Sequence, residues 1–268
     1  MARSDTPQFI SLEEAAAMTT GTRVTFIPGI PAMYSEALKN VCHVKGVPLI
    51  RALHPLMGVD KETGEDRQAR LYELTRQTSL PTMFHDEERP RNVWIEQLGL
   101  AERIGAPGSP ELIPRDYEAR VEVMGLCEVV LGEDGLVWNM RILSDGPLAR
   151  KYGYSEEAST AAAGKMAEVL RLIDRRLAAQ ADRGSPYIVG EAITAIDVYW
   201  ATMSMAVAPP GPEIMPITKQ NQRMLQFFAK NGEIPAIADA LSERIASHQR
   251  YILTTYCETP AVLGGDPI

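Results

Sequence analysis

Polar and apolar positions change period several times along the chain. Residues 11–18 (SLEEAAAM) begin on a serine whose oxygen can accept from free backbone N–H groups, with Glu13 and Glu14 where negative charge favours the helix dipole. The segment predicts a short leading helix. Residues 23–29 (RVTFIPG) form a β-branched and aromatic run closed by Pro-Gly, which predicts a buried strand. From Ser35 to Gly46, Ala37, Leu38, Val41, Cys42 and Val44 keep helical spacing up to a Lys-Gly stop, and residues 47–54 (VPLIRALH) read as a second strand. Strand, helix and strand within about 30 residues is the length of a right-handed crossover unit.

Residues 58–78 are polar and predict a loop with a short helix. A short strand is expected from Thr82 to His85, directly after Leu80-Pro81. Residues 92–105 (NVWIEQLGLAERIG) predict a helix with Val93, Trp94, Leu98, Ala101 and Ile104 on one broad face. Pro107, Gly108, Pro110 and Pro114 then mark a linker over 106–115, separating an α/β domain (1–105) from a helical one (116–268). Helices are expected at 116–132, 134–143, 155–182, 194–208, 216–230 and 233–254. The sharpest period is in 165–179, where Met166, Val169, Leu170, Ile173 and Leu177 share a stripe.

Hydrophobic residues make up 45% of the 268, enough for a core in each domain. A formal charge of −8, with no basic run, argues against a nucleic-acid backbone or an anionic membrane as partner. Cys42, Cys127 and Cys257 lie far apart without a CxxC or a metal spacing, which fits a reducing compartment. The first residues lack the apolar stretch of a signal peptide, and no window approaches 18 uninterrupted apolar residues. A soluble, cytoplasmic protein is the expectation. His43, His54, His85 and His248 have no partner at metal spacing and read as structural or surface residues, so no metal is expected. With no phosphate loop, GxSxG or HExxH, the kinase, hydrolase and zinc-peptidase readings are poor.

Residues 187–201 (YIVGEAITAIDVYWA) place Thr194 as an N-cap with Asp197 three residues on, a capping box, while Ile193 and Val198 can form a hydrophobic staple. This stretch looks like the "YLxGxxxTxAD" segment of the glutathione transferase superfamily. Leu80-Pro81 falls where that superfamily carries a cis-proline, and the similarity spans roughly residues 23–255. The resemblance implies a thioredoxin-like α/β N-terminal domain followed by an all-α helical bundle. It also implies glutathione as cosubstrate, a small hydrophobic second substrate, and a homodimer lined by the helix from Asn92 and the first long C-terminal helix.

By that resemblance, Leu80, beside Pro81, offers its backbone N–H and C=O to the cysteinyl part of glutathione. The catalytic position lies where the first strand meets the first helix. Setting PGIPAMYSEALK on the pattern SPxSxxVRxxLxxKG puts Ser35 on its second serine and Lys39 on its basic residue, with Tyr34 adjacent. No cysteine is present there, which disfavours mixed-disulfide chemistry. A hydroxyl on Ser35 or Tyr34 would lower the thiol pKa. Ser35 as a plain helix N-cap has the same geometry and stays open at this point. Where the superfamily has an acidic-Ser pair for the γ-glutamyl group, this chain has Arg91 and Asn92, with Glu96 and Gln97 a turn later. Asn92 can cap the helix, Arg91 can pair with a carboxylate, and Glu96 or a partner subunit can meet the ligand's amine. Met33, Tyr117, Arg120, Val121, Met124, Glu128 and Trp138 have the chemistry of a second-substrate pocket, or of plain core. The leading function is a glutathione-dependent transferase. A non-catalytic ligand-binding or protein-interaction module, and a glutathione-dependent isomerase or lyase, are the alternatives.

Overall fold

The computed structural model describes residues 8–264, in which the chain forms two compact units. The first holds 8–109 together with Pro216–Asn221 and 260–264; the second holds Pro110–Met215 and Gln222–Thr259. The change of unit falls after Ser109, inside the expected linker. Two later segments, assigned from sequence to the helical domain, return to the first unit. They are tied there by Gly29 N–H donating to Leu263 O (2.9 Å), Asn221 Nδ2 to Gly29 O (3.0 Å) and Lys39 Nζ to Val262 O (3.4 Å).

In order, the first unit runs β1 (Phe9–Ile10), α1 (Leu12–Ala17), β2 (Thr22–Phe26), α2 (Met33–Val44), β3 (Leu49–Leu53), α3 (Ala69–Thr75), β4 (Met83–His85) and α4 (Trp94–Ile104). The sheet order is β1-β3-β2-β4, with β3 parallel to β1 and β2, and β4 antiparallel to β2. This is a thioredoxin-like arrangement, with α2 as the crossover between two parallel strands. Gly46, at φ +63°, takes the left-handed position that ends α2 and frees the chain to turn into β3. Strand β1, two residues long, carries too little pattern to be read from sequence. Ser11 caps α1 as expected, accepting from Glu14 N–H (3.1 Å) while Glu14 Oε2 accepts from Ser11 N–H (2.7 Å).

Helices α2 and α4 begin elsewhere than predicted. The N-cap of α2 is Ala32, so Ser35 sits inside the first turn and is not the capping residue. The N-cap of α4 is Val93 and not Asn92. Arg91 is held extended against Met83 by two backbone bonds of 2.8 Å, which delays the helix. Within α4 the buried positions are Gln97, Leu98, Leu100 and Ala101, while Val93 is exposed.

The second unit is all helical: α5 (Tyr117–Leu131), α6 (Leu136–Arg141), α7 (Pro147–Lys151), α8 (Glu156–Ala181), α9 (Ala195–Met203), α10 (Gln222–Gly232), α11 (Pro235–Ala238) and α12 (Glu243–Tyr256). Its centre is α9, every residue of which is buried, packed against α5 and α12. The expected α8 stripe of Met166, Val169, Leu170, Ile173 and Leu177 is buried. The span 233–254 breaks into α11 and α12 because Ser242 starts a new helix, accepting from Ile245 N–H. Asp197 is fully buried and accepts from Ile188 N–H (2.8 Å), Thr194 N–H (2.8 Å) and Thr194 Oγ1 (3.0 Å), completing the capping box; His248 Nε2 lies 3.1 Å from it. No helix among the described residues is long and apolar enough to cross a membrane.

One residue ties α1 and its turn to the sheet. Alternation along β2 sends Arg23 to the side of Phe84, its cross-strand partner, whose ring its guanidinium overlies at 5.8 Å. Arg23 is 1% exposed and donates to the carbonyls of Ala15 (3.1 Å), Met18 (2.7 Å), Gly21 (2.5 Å) and Asp86 (3.1 Å). Desolvation lowers its pKa, opposed by the Asp86 carboxylate. Replacing it leaves several acceptors without a donor. Arg23→Met is therefore expected to cost roughly 3 kcal/mol, read as a lower urea midpoint at unchanged m-value; a midpoint within error of the parent would contradict this account.

Candidate functional site

In the turn before β4 the backbone groups of Ser79, Pro81 and Thr82 are paired, while among the described residues those of Leu80 are not and the Thr82 hydroxyl is buried without a partner. The Leu80–Pro81 peptide bond is cis, as the resemblance implied. Ser79 N–H donates to Gln77 Oε1 (2.6 Å), and Ser79 O accepts from Gln77 Nε2 (3.2 Å). Pro81 has no N–H, and its carbonyl accepts from Gln97 Nε2 (2.9 Å). Thr82 N–H donates to Thr25 Oγ1 (2.8 Å), and Thr82 O accepts from Thr25 N–H (3.0 Å). His54 Nδ1 stands 3.2 Å from the same Thr25 hydroxyl. Leu80 is left over: its N–H and C=O have no partner among the described residues, and the residue is half-buried. Backbone groups below the surface are almost always paired, which marks Leu80's N–H and C=O as open to an added partner.

Around the start of α2 the groups sit differently. Ala32 supplies no side-chain oxygen to the first-turn amides. Ser35 is 1% exposed, and its Oγ is buried with no hydrogen-bond partner among the described residues. Tyr34 is half-buried and Met33 buried. Lys39, read from sequence as a ligand-binding cation, is buried and ion-paired with Glu36 at 2.5 Å, with its ammonium also turned to Val262 O.

Downstream of β4, Arg91 is committed to the protein. It donates to Glu88 Oε2 (2.5 Å) and to the Arg89 carbonyl (3.1 Å). Glu88 also accepts from Arg103 (2.6 and 2.7 Å), and Arg103 and Arg91 together hold its carboxyl down at a pKa of about 2. Glu96 is bound by Arg89 (2.8 and 3.2 Å), which lowers its pKa. Asn92 Nδ2 is buried and without a partner among the described residues. Gln97 was not assigned a role from sequence. The signal was there, since it stands one position from Leu98 on the buried side of α4.

In the second unit, Tyr117 is 77% exposed, and Val121, one turn on, is 74% exposed. Arg120 donates to Pro114 O (2.8 Å) and overlies the Tyr117 ring at 5.5 Å. Met124 is half-buried, and Trp138 meets the Tyr152 ring edge-on at 5.0 Å. A cavity of about 270 Å³ in the first unit is lined by Gly29, Pro216–Thr218 and Pro260–Gly264, and by none of the expected site residues. Cys42 and Cys127 are buried thiols, the first pushed up to about 12 by desolvation, the second also raised by burial. Neither suits a nucleophile. Among the described residues no group of three or more His, Cys, Asp or Glu could hold a metal.

A thioredoxin-like unit with a cis-proline turn, followed by an all-helical unit, defines the glutathione transferase fold. Solved structures agree. A glutathione S-transferase from Methylobacillus flagellatus KT, with glutathione bound, matches at a TM-score of 0.54 and 12% identity, over 85% of this chain and 98% of that one. The beta-etherase LigF from Sphingobium sp. strain SYK-6 matches at 0.54 and 14%, over 82% and 98%. A Tau class glutathione S-transferase from mango, Mangifera indica, matches at 0.51 and 14%, over 86% and 96%. At such identities the likeness defines the fold. No protein-family model matches the sequence, and no curated protein matches it.

The Arg91–Glu88–Arg103 cluster makes a pH prediction. The Glu88 pKa falls from the ordinary 4.5 to about 2, so its stabilising contribution is fully present above pH 4.5 and is lost as pH drops toward 2. Glu88→Gln should lower Tm at neutral pH and flatten the fall of Tm between those limits. Parallel Tm curves for parent and variant across that window would show that the cluster contributes nothing.

Proposed function

We propose that this chain is a glutathione-dependent transferase-type enzyme acting on a small hydrophobic electrophile. The observation that carries the reading is the pair of unpaired peptide groups on Leu80, beside the cis bond to Pro81. The fold likeness to a glutathione S-transferase with glutathione bound supports the choice of ligand. Leu80 N–H and C=O pair with the cysteinyl residue, and the orphan Asn92 Nδ2 donates to the γ-glutamyl carboxylate. The fit is incomplete at the ligand's amine, since Glu96 is already engaged by Arg89. A carboxylate from a partner subunit would complete it.

Glutathione supplies a thiol whose ordinary pKa, near 8.5, leaves about a few per cent ionised at pH 7. The uncapped first turn of α2 favours negative charge beside it. Ser35 Oγ–H, without a partner of its own, donates to the sulfur and holds it as thiolate, assisted by the Tyr34 hydroxyl. Thiolate attack on the electrophile then forms the C–S bond and expels the leaving group. Homodimerisation is proposed on the exposed apolar residues Val93 and Ile95 at the start of α4 and Tyr117 and Val121 on α5.

Three measurements test this reading. Millimolar glutathione should raise Tm, because a ligand bound only by the native state stabilises it; no shift would remove glutathione as the ligand. Ser35→Ala should lower turnover about tenfold to a hundredfold at saturating glutathione while leaving Tm unchanged or raised, since the hydroxyl it removes is buried and unpaired. Unchanged turnover in the Ser35→Ala/Tyr34→Phe double variant would end the hydroxyl mechanism. Light scattering should report about twice 29.5 kDa at micromolar concentration, and a mass of 29.5 kDa would overturn the dimer.

A further inference from the structure

Ahead of Leu80 the turn is held by Gln77, which bonds both backbone groups of Ser79. After Leu80, the Pro81 carbonyl is held by an amide from a helix 16 residues further along. Gln97, 3% exposed on α4, donates from the same Nε2 to Pro81 O (2.9 Å) and Arg91 O (3.0 Å). The side-chain amide carries two N–H groups, and both are used. Its two acceptors lie on opposite arms of the hairpin around β4. Arg91 O also receives Met83 N–H (2.8 Å), whereas Pro81 O has Gln97 alone. On the other side, Thr25 takes both backbone groups of Thr82. Gln97 and Thr25 therefore pin the residues that follow Leu80, and Leu80's own peptide groups remain presented.

We infer that Gln97 is a positioning residue for the thiol substrate: it fixes the orientation in which Leu80 offers its N–H and C=O, without touching the ligand. The inference rests on the reading of Leu80 as the docking point for the cysteinyl residue of glutathione. Losing the clamp lets Pro81 O seek another donor and rotates the neighbouring peptide plane, so two backbone bonds to the ligand weaken together. The sulfur-activating groups at the start of α2 belong to another element and are untouched. The loss therefore falls on binding of glutathione and spares the chemical step.

The test uses the full chain and glutathione itself. Gln97→Met keeps the volume and helix propensity of the side chain and removes both donors; Gln97→Asn keeps the amide but shortens its reach. Calorimetric Kd for glutathione, KM and kcat on one electrophile, and Tm are measured for parent and variants. Cys42→Ala, a buried change outside the site, serves as a stability-matched control. About a tenfold or greater rise in Kd and KM in both Gln97 variants is expected, with kcat at saturating glutathione within about twofold of the parent and the control's Kd unmoved. Should Gln97→Met fail to fold, Gln97→Asn carries the same comparison. If the parent binds glutathione and the variants bind equally well, or if the control loses as much affinity, the positioning role is wrong while the docking role of Leu80 stands. If the parent does not bind glutathione, the docking role itself falls, and the positioning role with it.

Discussion

A buried backbone carbonyl without a donor costs about 1–3 kcal/mol, and the first unit is organised around meeting that demand at one edge of its sheet. Strand β4 is three residues long and cannot satisfy the chain on either side of it by pairing alone. Side chains from elsewhere do so: Thr25 from β2, Gln97 from α4, Gln77 from the loop before the turn, and Gln68 at the start of α3, the last through Pro55 O and Thr78 O. Among the backbone groups of Ser79 to Thr82, those of Leu80 are left without a partner among the described residues. That exception is the most informative feature of the molecule, because it is local, chemically specific and flanked by backbone groups that are engaged.

The same demand operates at the opposite end of the strands. Arg23 lies on a strand buried along its whole length, where its charge is tolerated because carbonyls surround it. These belong to α1 and the turn into β2, and to Asp86 just after β4, so one guanidinium replaces a set of backbone partners that irregular chain cannot provide for itself. In the second unit Asp197 has the matching role with opposite sign, gathering N–H groups from Ile188 and Thr194 at the start of the buried helix α9. In each place a buried charge is kept because several backbone groups share it.

Polar side chains with no partner are the complement of this pattern. Ser35 Oγ, Thr82 Oγ1 and Asn92 Nδ2 are orphaned in the unit that carries Leu80. Ser35 and Asn92 stand within the first turn of α2 and just ahead of α4, the two helices that pack together in that unit. Arg91 and Glu96, the charged neighbours expected to meet a ligand, are instead consumed by Glu88 and Arg89. Among the candidate residues the unpaired groups are neutral donors and peptide groups, while the formal charges of Arg91 and Glu96 are paired within the protein.

By itself the sequence determined most of the elements but not β1, α7 or the break between α11 and α12, because period and punctuation are local and these are short. The Lys-Gly stop after α2, the serine cap of α1, the α8 stripe and the Thr194–Asp197 box can each be read within a few residues and appear as such. The cis bond at Leu80–Pro81 was legible only through family resemblance. Tertiary structure decided where α2 and α4 begin, since Ala32 and Val93 are caps chosen by the incoming chain and not by their side chains. It decided that residues 216–221 and 260–264 belong with the first unit, through bonds to Gly29 that span about two hundred positions. It also decided which polar residues were spent and which left over. Hydrogen bonds between Thr25 and Thr82, Gln97 and Pro81, or Arg91 and Glu88 depend on how strands and helices are brought together, and no pattern along the chain encodes the distance between their atoms.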